Sequence, residues 1–448
     1  MSEYIIQGET LTGIADAIRS KASFTQAFTP AEMIDAIENM EIGTSASLSS
    51  VTFSANGTYT PDTGYDGFDS VTVNVPVSAD TGYSLFKGIA EGSISEITDT
   101  IGSVSSIRAN AFRENAALVS VGFPAVETIG AYAFYSCTSL ITADFPLCEE
   151  VSTYAFFGCT KLDNVNAPLV TRVGSSAFNR CMSLSHIDMS NLTVIGTAAF
   201  MSCYRLREIS LPNLSQAESQ AFIACSALSY VNIPLLESVA NGMFQQCGNL
   251  SSISFPNAVY VGNNAFIMCS TISDVSLPAV SILSTCAFQA CTLLSSAAFP
   301  SCMTVGQSAF NGCTNLQSID LPACTSVVAQ AFNNCSALSN VNVPLATRIG
   351  ANAFASCAAL SKISLPSVGS IAAGAFMSCV TLTAIYLLSS SVATLASVNA
   401  FSNTPISIST LTGDFGSIFV PESLVSAYQS ATRWSTYSSR ITAYVEGT

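Results

Sequence analysis

Apolar positions in this chain return on a period far longer than that of a helix or a strand. A phenylalanine falls every 22 residues, at Phe112, Phe134, Phe156, Phe178, Phe200, Phe222, Phe244, Phe266, Phe288, Phe310, Phe332, Phe354 and Phe376, without an insertion or deletion. Counting from each Phe, the unit reads A-F-x-x-C-x-x-L-x-x-[VI]-x-[FL]-P-x-[VL]-x-x-[IV]-G. In the coil of Phe200 this gives Ala199, Cys203, Leu206, Ile209, Leu211, Pro212 and Leu214. Ile209 and Leu211 alternate with polar neighbours, which predicts a strand with one buried face. Pro, with no N–H to donate, ends the ladder there; it holds this place in eleven coils from Pro124 to Pro366, with Ser190 the exception. Between Pro and the next Cys the spacing predicts an irregular or short helical return. Such a fixed period makes each coil bury its apolar side only against its neighbours, so the expected architecture is a repeat solenoid of about 12–13 coils over residues 80–388. At ~4.8 Å per stacked strand the array would run roughly 60 Å.

The units A-F-x-x-C-x-x-L with the following I/V-x-L-P resemble the Treponema-type, BspA-like leucine-rich repeats, and Leu206-x-x-Ile209-x-Leu211 has the form of a leucine-rich-repeat strand. The resemblance implies a parallel leucine-rich-repeat superhelix with a recognition or adhesion role and no shared catalytic residues.

Flanking the repeats, residues 1–41 read as two short helices forming an anchor. Thr10 can cap the first, and Thr29-Pro30-Ala31-Glu32 is a capping box with Pro at the first helical position. A Gly/Ser-rich linker follows at 42–50. At 51–79, Val51-Thr-Phe53, Asn56-Gly57, Tyr59 and Val71-Thr-Val73-Asn-Val75 read as a small antiparallel β-module. Residues 389–448 supply a strand at Ile418–Val420, a helix from Glu422 and the sole tryptophan, Trp434, expected to cover the last coil's open edge as an α/β cap. The opening YIIQGETLTGIADAIRSKASFTQAFTPAEMIDAI and the segment GTYTPDTGYDGFDSVTVNVP are similar to the start of tail-associated proteins of phages of Gram-positive bacteria. IFVPESLVSAYQSATRWSTYSSRI resembles the end segment of BspA-like arrays. The resemblance implies a virion protein made in the host cytoplasm and displayed outside it. Its partners would be a tail or baseplate protein, through the N-terminal segment, and a glycan or protein of the host surface. A homo-oligomer is open, and the alternative identity is a bacterial cell-surface BspA-like adhesin.

Composition narrows the chemistry. Sixteen cysteines would ordinarily suggest disulfides or metal, but twelve of them stand at Phe+3, where thiols stacked ~5 Å apart do not suit a disulfide. C-x-x-C is absent and His186 is the sole histidine, so no zinc-ligand spacing and no cofactor motif emerges. The expectation is free thiols acting as small buried hydrophobes. Residues 1–100 hold 14 Asp/Glu against 3 Lys/Arg, leaving 15 against 11 for the rest, which gives no basic face for nucleic acid. No apolar run reaches the ~18 residues of a membrane span, and the first residues lack the basic start and long apolar centre of a signal peptide.

An enzyme would need a nucleophile, a base or paired carboxylates in a cleft, and nothing in the sequence assembles one, so the reading is non-enzymatic, with a tail-borne glycan hydrolase the weakest option. The better candidates for binding are the outward strand positions Phe+8 and Phe+10: Asp144, Asn166, His186, Asp188, Tyr230, Asn232, Asp320 and Asn342. Their short polar side chains can hydrogen-bond a sugar or a peptide; equally, they can simply form a hydrated sheet face. At Phe+1 a stripe of Tyr135, Phe157, Met201, Ile223, Ile267 and Met377 is either an exposed apolar band or partly buried beneath the coil.

Overall fold

The computed structural model describes the strands Val51–Thr52 and Val71–Thr72, then residues 96–99, 102, 104–407 and 416–445. The helices and linker expected at 1–41 and 42–50 lie outside the described residues. The chain forms two compact units, Met1–Leu206 and Arg207–Thr448. Both are built from one kind of coil, in a parallel β-solenoid of about 15 turns of roughly 22 residues.

The regular coils carry two short strands each. In the first unit the three-residue strands Glu96–Thr98, Ser120–Gly122, Thr142–Asp144 and Asn164–Asn166 pair in parallel, keeping Ile97, Val121, Ala143 and Val165 in one buried column. A second sheet stacks Ser106–Ile107, Thr128–Ile129, Glu150–Val151, Arg172–Val173 and Val194–Ile195. In the second unit the same two positions recur, the narrower one as eight strands from Ser238–Val239 to Thr394–Leu395. In most strands the apolar member is buried and its neighbours face outward, as the alternation predicts. Pro at Phe+12 sits one residue inside a tight turn closed by Leu214 N–H on Leu211 O at 3.2 Å, where its fixed φ suits the turn.

The return is neither helical nor irregular; it is a third ladder. In the coil of Phe156, the N–H groups of Tyr154, Phe156 and Gly158 donate to the next coil, at Ser175 O, Ala177 O and Asn179 O (3.0, 2.7 and 2.8 Å). The intervening N–H groups of Ala155, Phe157 and Cys159 close turns within the coil, on Ser152, Tyr154 and Phe156 (3.2, 3.2 and 3.1 Å). Every backbone donor from Tyr154 to Cys159 is thus used, as burial against the next coil requires. The arrangement needs a left-handed residue at Phe−2 and Phe+2, here Tyr154 (φ 58°) and Gly158 (φ 72°), which makes two consecutive type II-like turns.

The core follows from this stacking. All thirteen phenylalanines are at most 1 % exposed. In the first unit, rings from Phe112 to Phe200 lie parallel at 4.9–5.2 Å between centroids. In the second, Phe222 to Phe376 stack at 5.0–5.6 Å. Phe401, 25 residues beyond Phe376, adds a further ring at 5.6 Å and 2°. Burial of each ring contributes about 1.5–3 kcal/mol, and each stacked pair roughly 0.5–1.5 kcal/mol more.

The cysteines have a second role besides filling space. All sixteen are free, and only Cys286 is not fully buried. At eleven Phe+3 positions, Sγ–H donates to the carbonyl of the preceding coil's phenylalanine, as in Cys137 to Phe112 O at 2.9 Å, Cys159 to Phe134 O at 3.0 Å and Cys379 to Phe354 O at 3.0 Å. Burial pushes the thiols of Cys159, Cys247 and Cys313 up, to about 12 for Cys313.

The short strands Val51–Thr52 and Val71–Thr72 pair in parallel, in the register Val51↔Val71, and Val71 in turn pairs with Ile97. The antiparallel reading of this segment is therefore corrected. Parallel strands cannot be joined by a tight two-residue hairpin. At the other end, Ser417–Val420 and Ile441–Ala443 extend the sheet beyond Ala384–Tyr386, again in parallel. Between them, the helix Val425–Ser430 and a 3-10 turn at Trp434–Arg440 fasten the last coil. Trp434 Nε1–H donates to Ala393 O at 2.6 Å, Ala393 N–H donates to Tyr428 Oη at 2.9 Å, and Trp434 packs on Phe401.

Candidate functional site

The outward residues of the three-residue strands form two columns, Phe+8 and Phe+10, about 6.6 Å apart along the strand, with rungs ~4.8 Å apart. In the first unit three rungs carry Thr142 and Asp144, Asn164 and Asn166, and His186 and Asp188. Together with Ala143 and Val165 they line an open depression of about 450 Å³. Asp144, Asn164, Asn166, His186 and Asp188 are all exposed.

The depression has a local cause. Thr142–Asp144 and Asn164–Asn166 are regular strands, but the next rung is joined by a single parallel bridge, Asn166 to Asp188. Ser185 N–H meets Asp163 O at 3.4 Å, against 2.8 Å for Ile141 to Val119 and 3.0 Å for Asp163 to Ile141. This is the coil in which Ser190 replaces Pro, although Leu192 N–H still closes the turn on Met189 O at 3.0 Å. The His186–Asp188 rung therefore sits off the regular ladder.

Chemically the grid is rich in acceptors. Asn166 Nδ2–H donates to Asp144 Oδ1 at 2.6 Å, a charge-assisted bond that fixes both side chains across a coil step. This leaves the Asn166 carbonyl and the second oxygen of Asp144 directed to solvent. The Asp188 carboxylate and the His186 imidazole stand beside them. Two carboxylates, two amides, an imidazole and a hydroxyl lining one depression suit hydroxyl-rich or amide-bearing ligands. Among the described residues, no group of three or more His, Cys, Asp or Glu is placed to hold a metal ion.

The other candidates fall in the second unit. Tyr230 (41 % exposed) and the half-buried Asn232 share one strand. Asp320 and Asn342 repeat the Asp–Asn coupling across a coil step, at 2.7 Å. Asp274, at the same outward column, accepts from Ser296 Oγ at 2.7 Å and Ser273 Oγ at 2.9 Å, and these bonds hold its carboxyl below the usual range. Beside the strands, hydroxyl columns are largely self-satisfied: Ser251 Oγ–H donates to Ser229 O at 3.2 Å and Thr193 Oγ1–H to Thr171 O at 2.9 Å. Much of the Ser/Thr content thus reinforces stacking, and the residues free for a ligand are fewer than the sequence suggests.

The Phe+1 stripe is half-buried for Tyr135, Phe157, Met201, Ile223 and Ile267, with Met377 37 % exposed. Sequence reasoning missed what surrounds it in the first unit. Tyr132 and Tyr154, at Phe−2, stack on each other at 5.0 Å, and Tyr135 stacks on Phe157 at 5.0 Å. The signal was present in the doubled aromatics of AYAFY and TYAFF.

The family described as BspA type leucine rich repeat region matches in six copies, over residues 82–191, 127–247, 237–357 and 303–421. A leucine-rich repeat protein from Bacteroides ovatus is similar in structure, with a TM-score of 0.54 at 21% identity over 76% of this chain and 88% of that one; the likeness concerns the fold. A leucine rich repeat protein of T. pallidum aligns at 27% identity and TM-score 0.32, over 40% of this chain and 78% of that one. A leucine rich cell surface protein from Faecalibacterium prausnitzii aligns at 21% identity and TM-score 0.34, over 78% and 91%. No curated protein matches the chain.

Proposed function

The chain belongs to the BspA-type leucine-rich repeat family, and on that premise we propose that it is a non-enzymatic recognition protein whose solenoid adheres to a ligand displayed on a cell surface. The observation that carries this reading is the open polar depression of the first unit. It gathers Asp144, Asn166, His186 and Asp188 in one open depression, while the hydroxyl columns beside the strands are spent on stacking. A rigid, pre-formed surface loses little conformational entropy on binding, which suits adhesion to repeated surface groups. The finer reading is a phage tail-associated protein that uses its solenoid to bind a host-surface glycan or protein. Its support is the likeness of the first eighty residues to tail-associated proteins. A role as a cell-surface adhesin differs from it in what residues 1–41 attach to.

Two measurements test this. Labelled full-length protein should bind cells of its host, and Asp188→Arg combined with Asn166→Trp should weaken that binding about tenfold or more with an unchanged melting temperature. Undiminished binding by the double variant removes the depression from the reading. For the attachment, antibody labelling should place the chain on the tails of purified particles; labelling of the producing cell's envelope instead makes it an adhesin.

A further inference from the structure

The turn face of the first unit carries a cluster that the strand-face reading does not use. Tyr132 and Tyr135 leave one coil, Tyr154 and Phe157 the next, and the four half-buried rings make two parallel stacks tilted against each other at 5.5–5.7 Å. Both ends of the cluster are closed by guanidinium groups. Arg113 Cζ lies 5.5 Å from the Tyr132 ring centre and 5.0 Å from that of Tyr135; Arg180 Cζ lies 5.8 Å from that of Phe157.

This geometry decides which ring surfaces a ligand can reach. Tyr132, Tyr135 and Phe157 have both faces taken by neighbouring rings and the two arginines, and Tyr154 has one face taken by Tyr132, so sugar-on-face stacking has little room. What remains are ring edges, which carry the positive lobe of the quadrupole, and phenol hydroxyls, for which no hydrogen bond is found among the described residues. Edges, O–H donors and guanidinium donors all favour an electron-rich, acceptor-bearing ligand. Arg113 is also engaged by Glu114 at 3.1 Å, but both side chains are largely exposed, and a pair of that kind is weak and exchangeable. The two cations stand three coil steps apart, roughly 14 Å, a span longer than any single small anion.

We infer that this face is a second binding surface, for an anionic polymer of sugar or polyol units whose carboxylate or phosphodiester groups reach Arg113 and Arg180 together while its backbone crosses the tyrosine edges. The spacing makes the attraction depend on chain length, since only a polymer engages both cations at once.

The test uses the full chain against four immobilised or soluble probes: polygalacturonate, poly(glycerol phosphate), neutral dextran and inorganic phosphate. The expected result is salt-sensitive binding of one or both anionic polymers, the preferred one identifying the anion, with dextran and phosphate at least tenfold weaker. Arg113→Ala with Arg180→Ala should lower polymer affinity about tenfold. Tyr132→Phe with Tyr154→Phe keeps the rings and removes two hydroxyls, and should lower it severalfold with an unchanged melting temperature. Asp188→Arg, on the strand face, should not lower it. Equal binding of dextran, equal binding of inorganic phosphate, binding of neither polymer, or full affinity in the arginine double variant would each overturn the proposal.

Discussion

At the scale of single residues, what governs this chain is how little room a coil leaves its neighbour. Gly306 shows the limit: a Cβ there would lie 2.3 Å from Ser284 C, so the close approach of two backbones explains the glycine that ends the repeat unit. The left-handed turn positions obey a different logic. Gly312 (φ 79°) takes one, but Ser202, Ala224, Gln246 and Met268 take others at φ 60–63°, each at a cost of roughly 1–2 kcal/mol. Because ordinary side chains occupy these places, the turn ladder left almost no glycine signal in the sequence, and the return read as irregular. The thiols, by contrast, were legible as core from their period alone. Their burial gives a pH prediction. The unfolded chain ionises cysteine near 9.0, whereas burial pushes Cys148 up to about 12 and Cys302 up to about 11. A raised folded value means that stability is complete below 9.0 and is lost as pH climbs towards the folded values. At ~1.5 pH units above 9.0 the loss approaches ~2 kcal/mol for each thiol kept protonated. The melting temperature should therefore drop steadily between about pH 8.5 and pH 11, and a flat profile across that range would show that the thiols are not sealed in the core.

At the scale of elements, strand, Pro turn and phenylalanine column were all readable, because each places the same residue type at the same offset in every coil. What was not readable are the departures from that offset. Phe401 escaped the count because it stands 25 residues from Phe376, although its ring continues the stack. The missing strand at His186–Asp188 was marked only by Ser190, and no single side chain in that coil accounts for the opening. The aromatic cluster was hidden because Tyr132 and Tyr154 lie at a column that elsewhere holds Ser, Gln, Asn, Gly, Ala or Cys. Phe244 tests the regular part. It is fully buried between Phe222 at 5.6 Å and Phe266 at 5.5 Å, and it touches Phe255 at 5.7 Å. Phe244→Ala removes two stacked pairs and leaves a cavity that rigid ladders on either side cannot close, so the expected cost is ~3–5 kcal/mol. Since coil stability is a nearest-neighbour sum, hydrogen exchange should rise first in the coils of Phe222 and Phe266, and uniform exchange throughout the second unit would contradict that account.

At the scale of the whole molecule, a stack of identical coils has two open ends, and each must be closed to keep unpaired strand edges from recruiting other chains. At the C-terminal end, Trp434, Tyr428 and Tyr437 do this. All three are buried around Phe401, and their polar atoms are spent on the backbone at Ala393 and Val398. At the other end, the sheet runs from Glu96–Thr98 to Val71–Thr72 and then to Val51–Thr52. This register decides where the chain can be cut. A fragment starting at Ser78 severs two paired strands, whereas one starting at Ser50 keeps every described strand. If residues 1–49 serve attachment and the coils serve recognition, the fragment from Ser50 should keep the full-length melting temperature within about 2 °C and keep its affinity for host cells, while losing its place on the particle. The fragment from Ser78 should melt lower and aggregate, because the strand at Glu96–Thr98 then becomes a bare edge. Two measurements separate the possibilities, a thermal melt and a cell-binding titration on the same preparations. Loss of cell binding in the fragment from Ser50, with its melt unchanged, would transfer recognition to the first forty-nine residues and leave the solenoid as a spacer.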